Sequence, residues 1–151
     1  MNSKTSTEIL KFGWGQGTFD IENFGSPLTT TSFSLCVYND AELITSALVH
    51  PQVGWKEKYR SGLLIGYKHK LRQTSPPLKE KLSMRSGLGS ARIDFSTKRL
   101  STARLPIETQ DDGFATVQLI VGEGPACMEA VFPRQSIFRN DSKKFLAFFI
   151  N

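Results

Sequence analysis

Thr29-Thr30-Thr31-Ser32-Phe33-Ser34-Leu35-Cys36-Val37-Tyr38 alternates along its whole length. Thr31, Phe33, Leu35 and Val37 fall on one side, and Ser32, Ser34, Cys36 and Tyr38 on the other. A period of two with one apolar face predicts a half-buried β-strand, and these residue types suit a pleated surface. The same period returns around it. Ala91, Ile93 and Phe95 alternate with Arg92 and Asp94, and Ala115, Val117, Leu119 and Val121 form another inward row. Leu63, Ile65 and Tyr67 share a face, Leu82 and Met84 sit between basic residues, and residues 127–132 read as a strand with Met128, Ala130 and Phe132 inward. Residues 8–14, 43–49 and 145–150 complete the set.

Turn chemistry separates these runs. Phe24-Gly25-Ser26-Pro27, Asn39-Asp40, His50-Pro51, Ser86-Gly87-Leu88-Gly89, Gly122-Glu123-Gly124-Pro125 and Asn140-Asp141 are all turn-formers. Thr74-Ser75-Pro76-Pro77 cannot continue a ladder and predicts a loop. Gly13-Trp14-Gly15-Gln16-Gly17 is expected to break the first strand, and residues 98–113 read as a long polar connection. The sum is eight or nine short strands and no amphipathic helix. An all-β fold follows, an antiparallel β-sandwich with jelly-roll or Greek-key-like links rather than an even barrel. The 151 residues fit one domain, 1–151, with 1–7 as a loose N-terminal arm.

The charge is uneven. From Trp55 to Arg104 there are 13 Lys or Arg and three acids (Glu57, Glu80, Asp94), while the rest of the chain holds 6 basic and 11 acidic residues. Such asymmetry can attract an anionic partner or simply solvate a strand face. Trp55, Tyr59 and Tyr67 lie among these cations. Trp55, Lys56, Lys58, Tyr59, Arg60, Lys68, Lys70 and Arg72 are therefore the candidates for gripping an anionic ligand, either a glycan or single-stranded nucleic acid. Against this, Tyr67 also fits a core position and the lysines a protected sheet edge.

Catalytic chemistry has little support. His50 precedes a proline, and His69 sits between Lys68 and Lys70. No nucleophile–base arrangement is visible at a known spacing, so no catalytic residue is nominated. Two cysteines and two histidines lack zinc-site spacing, and Asp111-Asp112-Gly113 lacks the ligand count for calcium. No metal and no cofactor is implied. Gly13–Gly17 lacks the Lys-Ser/Thr ending of a phosphate loop. No run is long enough for a membrane helix, and the start lacks the layout of a signal peptide. Cys36 and Cys127 both fall off the apolar rows. Their spacing leaves both a disulfide and two separate thiols open, and two cysteines alone are thin evidence for a pair.

Taken in order, several phrases resemble a β-rich module of uncharacterised activity found at the C-terminal end of large secreted or surface proteins of bacteria. Its members carry a phrase close to FGDPxTTTxYxLCVYD, and this chain has FGSPLTTTSFSLCVYN from Phe24 to Asn39. Trp55-Lys56, Ile65-Gly66-Tyr67-Lys68-His69-Lys70 and Ser86-Gly87-Leu88-Gly89-Ser90-Ala91-Arg92-Ile93 follow in the module's order. So do the VQL-containing run ending at Val121, Cys127-Met128-Glu129-Ala130-Val131-Phe132, and Asn140-Asp141 with Phe145. Asn39 stands where the module has Asp, Met128 where it has Trp, and Phe12-Gly13-Trp14 is a shortened opening strand. The resemblance implies a secreted or cell-surface setting, and with it a Cys36–Cys127 disulfide. It implies no activity.

The expected role is a non-catalytic secreted or surface module used for structure, attachment or binding an acidic glycan or envelope component. Self-assembly by exchange of residues 8–14 and the apolar 145–150 run between copies is the alternative. A nucleic-acid-binding domain using residues 55–104 is the further one.

Overall fold

The computed structural model describes residues 7–39, 42–100, 114–123, 127–141 and 144–148. Those residues form an all-β, sandwich-like fold. The strands are β1 (Thr7–Phe19), β2 (Phe33–Asn39), β3 (Glu42–Val49), β4 (Trp55–Arg60), β5 (Leu63–Thr74), β6 (Pro77–Arg85), β7 (Gly87–Leu100), β8 (Ala115–Val121), β9 (Cys127–Phe132), β10 (Ile137–Asp141) and β11 (Lys144–Phe148). Short 3-10 turns at Ile21–Phe24 and Arg134–Ser136 are the only helical pieces among the described residues. Among the described residues no helix is long and apolar enough to cross a membrane.

One sheet has seven strands in the order β10-β11-β1-β7-β6-β5-β4, and the other has four in the order β3-β2-β8-β9. The pairings are antiparallel except β1 with β11, which run parallel with Leu10 opposite Phe145 and Phe12 opposite Ala147. Consecutive β4 to β7 form a meander by short turns, the cheapest way to place neighbours side by side.

The alternation decides which side chains fill the space between the sheets. Phe33, Leu35 and Val37 of β2 meet Ala115, Val117, Leu119 and Val121 of β8, all buried. Ala91, Ile93 and Phe95 of β7, and Leu82 and Met84 of β6, face them from the larger sheet. Phe12 sits at the centre, 5.3 Å from the Phe145 ring and 6.2 Å from Phe132. Such tilted aromatic pairs add to the area they bury.

Several expectations are corrected. The glycines after Phe12 do not break β1. The strand runs on to Phe19, absorbing register shifts between Gly15 and Gly17 and between Gly17 and Phe19. Glycine tolerates such bulges, and Gln16 is left with a φ of 62°. The Ser75-Pro76 turn is a tight hairpin between β5 and β6, since Thr74 and Pro77 are already paired. Residues 98–100, read as loop, extend β7, while 101–113 lie outside the described residues. Of the expected loose arm, 1–6 also lie outside them, and Thr7 opens β1. β4 and β10 were not expected as strands, because neither carries an apolar row.

The core also holds polar groups. The Arg99 guanidinium on β7 lies 3.4 Å from the buried Glu8 carboxylate on β1, and donates across the gap to the Ser46 carbonyl (2.8 Å) and Thr45 hydroxyl (2.7 Å) of β3. It ties the two sheets together. Buried His69 and Glu80 contact each other at 3.0 Å.

A basic outer face on the larger sheet

The positions that alternate with the core residues of β4 to β7 point away from the small sheet. Register then arranges them in four rows across the strands. Arg72, Lys79, Lys98, Ile9 and Lys144 form the first row, on β5, β6, β7, β1 and β11. Lys70, Lys81, Ser96, Lys11 and Leu146 form the second. Lys56, Lys68, Ser83, Asp94, Gly13 and Phe148 form the third, from β4 to β11. Lys58, Gly66, Arg85, Arg92 and Gly15 form the fourth. Within these rows Asp94 is the sole carboxylate.

Like charges therefore stand directly opposite each other at Arg72/Lys79, Lys79/Lys98, Lys70/Lys81, Lys56/Lys68 and Arg85/Arg92. Directly opposed like charges destabilise a sheet by a few tenths to about 1 kcal/mol a pair. A face evolved only for solubility would intersperse the two signs.

The second and third rows line an open groove of about 870 Å³ that runs across the strands. Lys11, Lys56, Lys68, Lys70, Lys81, Ser83, Asp94, Ser96 and Phe148 supply its outer-face side chains. Glycines shape it. At Gly66 an added Cβ would run into the Met84 carbonyl, and at Gly13 it would sit 2.8 Å from both Asp94 Oδ1 and Phe148 Cδ1.

The charges interact. Lys58 Nζ donates to Ser83 Oγ at 3.1 Å. Burial pushes its ammonium below the usual lysine range, the Arg85 guanidinium pushes it further, and Asp94 pulls partly back. Arg92 grips Asp94 with a fork, Nε to Oδ2 at 2.7 Å and Nη2 to Oδ1 at 3.0 Å, and that carboxylate holds Arg92 above its ordinary value.

Of the residues nominated from sequence, Lys56, Lys68 and Lys70 line the groove, and Lys58 and Arg72 flank it. The aromatic nominees do not join them. Trp55 is buried, its indole N–H donated to the His50 carbonyl (2.8 Å) and its ring packed on Phe33 and His69. Alternation puts Trp55 opposite in phase to Lys56. Tyr67 is buried on the core side for the same reason. Tyr59 is exposed, but its hydroxyl donates to Glu57 at 2.7 Å, away from Lys56 and Lys58. Arg60 ends β4 opposite Leu63, past a register shift and outside the groove lining.

Sequence reading missed Lys79, Lys81, Arg85, Arg92 and Lys98 as members of this face, although each alternates with a core residue. Lys11, Lys144 and Phe148 had no local signal, because the β1–β7 pairing brings Lys11 here and the parallel β1–β11 pairing brings Lys144 and Phe148.

The expected Cys36–Cys127 disulfide is not formed. Both are free thiols, Cys36 buried and Cys127 exposed. They share the outer face of the small sheet, but β8 lies between β2 and β9. Two ladder spacings are about 9–10 Å, beyond the roughly 7 Å Cα separation a disulfide spans. The two ends expected to exchange between copies, β1 and β11, pair with each other within one chain.

No family model, no curated protein and no solved structure matches this chain.

Proposed function

We propose that the chain is a non-catalytic binding module that holds an acidic polymer, a glycan or other envelope component, across the outer face of its seven-stranded sheet. The observation that carries this reading is the set of directly opposed cations around a groove. Each such pair costs stability, and an anion laid along the rows removes the repulsion and gains attraction at once. The groove cations are all lysines, hydrated point charges on flexible stems. They suit a polymer with spaced anionic groups better than a single bidentate ligand. A secreted or cell-surface setting, as the motif resemblance implies, would present such polymers. A nucleic-acid role draws on the same cations, but with Trp55 and Tyr67 turned inward Phe148 is the one outer-face ring among the described groove residues, short of the series of rings on which successive bases of a single strand stack.

The test is binding of hyaluronan, chondroitin sulfate and single-stranded DNA at rising NaCl. Affinity for at least one glycan is expected, falling linearly on a log–log plot of salt as counterions are released. DNA binding tightly while neither glycan binds would favour the nucleic-acid reading. No retention of any polyanion at 20 mM NaCl would end the proposal.

A further inference from the structure

The third row of the basic face changes character along its length. From β4 to β11 it reads Lys56, Lys68, Ser83, Asp94, Gly13, Phe148. It begins with two cations, passes a hydroxyl and a carboxylate, and ends on an aromatic ring. Five strand spacings make it about 24 Å long. A uniform polyanion does not match such a row, because at Asp94 it meets a carboxylate, only partly offset by Arg92, where its charge calls for a cation.

Asp94 is nevertheless held firmly at the groove. The Arg92 fork fixes its plane, and each carboxylate oxygen keeps acceptor capacity beyond its one bond to Arg92. Gly13, its neighbour in the row, has no side chain. An added Cβ there would crowd Asp94 Oδ1 and the Phe148 ring, both at 2.8 Å, so glycine leaves carboxylate and ring side by side. Phe148 is half-buried and braced by Phe138, with ring centroids 6.1 Å apart. Ser83 lines the groove one strand away. A carboxylate acceptor, a hydroxyl and an aromatic ring together match an uncharged sugar: ring hydroxyls donate to Asp94, and the C–H face lies against Phe148, whose π face is negative.

We infer, building on the polyanion-binding reading above, that this row recognises an acidic glycan in two parts. Anionic groups lie over Lys56 and Lys68, and an uncharged, hydroxyl-bearing sugar ring lies on top of the adjacent Asp94 carboxylate and Phe148 ring. Asp94 is then a specificity-determining residue. It disfavours bare polyanions and favours a polymer that alternates charged and uncharged rings.

The two roles of Asp94 give opposite signs, so the experiment compares two probes. Hyaluronan oligosaccharides alternate a uronate with an uncharged amino sugar, and linear polyphosphate has charge without rings or hydroxyls. Affinities are measured by calorimetry for the wild type, Asp94→Asn and Asp94→Ala. Loss of a hydrogen bond to a charged acceptor lowers hyaluronan affinity roughly tenfold in Asp94→Ala. Loss of the negative charge tightens polyphosphate by about twofold. Asn keeps a neutral acceptor and falls between wild type and Ala for hyaluronan. Retained polyphosphate binding shows that the variants are folded.

If Asp94→Ala tightens both probes, the carboxylate only repels and the inference fails. If it weakens both, Asp94 serves to place Arg92, and the inference fails as well. Polyphosphate binding without hyaluronan binding by the wild type also overturns it while leaving the polyanion reading intact. Binding of neither probe sinks that reading with it.

Discussion

Replacing Lys81 by Glu should stabilise the fold and weaken ligand binding together. Lys81 is exposed on β6, directly opposite Lys70 on β5, with Lys79 two residues along on the same face. Two unit charges about 6 Å apart in water repel by about 0.7 kcal/mol before screening. Turning Lys81 into an acid reverses that sign against Lys70 and, more weakly, against the cations around it. The swing is about 1–2 kcal/mol at low ionic strength, the upper range for cross-strand pairs. For a domain of this size about 1 kcal/mol moves Tm by roughly 3 °C. Urea denaturation of wild type and Lys81→Glu at 20 mM and 1 M NaCl reads it directly. The variant should be the more stable at low salt. The difference should nearly vanish at 1 M, where the Debye length is about 3 Å. Polyanion affinity measured alongside should fall. A substitution that stabilises while it disarms is the mark of a face kept for function against its own folding interest. If Lys81→Glu is destabilising at low salt, or its effect ignores salt, the cations are not in repulsive opposition. The cation rows then carry no cost to folding for a ligand to relieve.

Two other outcomes follow from the interior and from the small sheet. Removing the inter-sheet tether with Arg99→Ala leaves Glu8 buried without its partner and should cost about 3 kcal/mol in urea denaturation at pH 7. Burial holds the Glu8 carboxyl above its ordinary 4.5, with Arg99 pulling partly back. Its contribution to stability is therefore full below pH 4.5 and is lost as pH rises through the raised value. Glu8→Gln should accordingly gain on the wild type between pH 4 and pH 7, and a difference that stays flat would refute this. At the cysteines, intact mass without reductant should show no disulfide. Cys127 should take up an alkylating agent in the native state and Cys36 only on unfolding. Partial desolvation of the accessible Cys127 thiol first, then Glu129 and Cys36, push it above the ordinary thiol range, so its modification should be slow at neutral pH and speed up as the pH rises. A mass consistent with a Cys36–Cys127 bond would contradict the strand order itself.

The inward rows were readable residue by residue. Phe33, Leu35 and Val37, then Ala91, Ile93 and Phe95, then Ala115 to Val121, and Met128, Ala130 and Phe132 all face the core as their alternation requires. Leu63 did not follow its neighbours and is exposed, because the register shift next to Tyr59 resets the phase there. β4 was invisible for a related reason. As an edge strand it buries Trp55 and little else, so no apolar period announces it.

The amino-acid order by itself determined that this is an all-β chain, which side of most strands is apolar, and that the middle third is basic. Those properties are local: the backbone fixes a period of two, and each side chain's polarity chooses its face. Only the tertiary structure decided which strands became neighbours. It set β8 between the two cysteines, turned Trp55 and Tyr67 away from the lysines, and brought β1 and β11 to complete a groove with Lys11 and Phe148. Pairing across a ladder is settled by burial and chain closure over the whole domain. No short window of sequence contains that information.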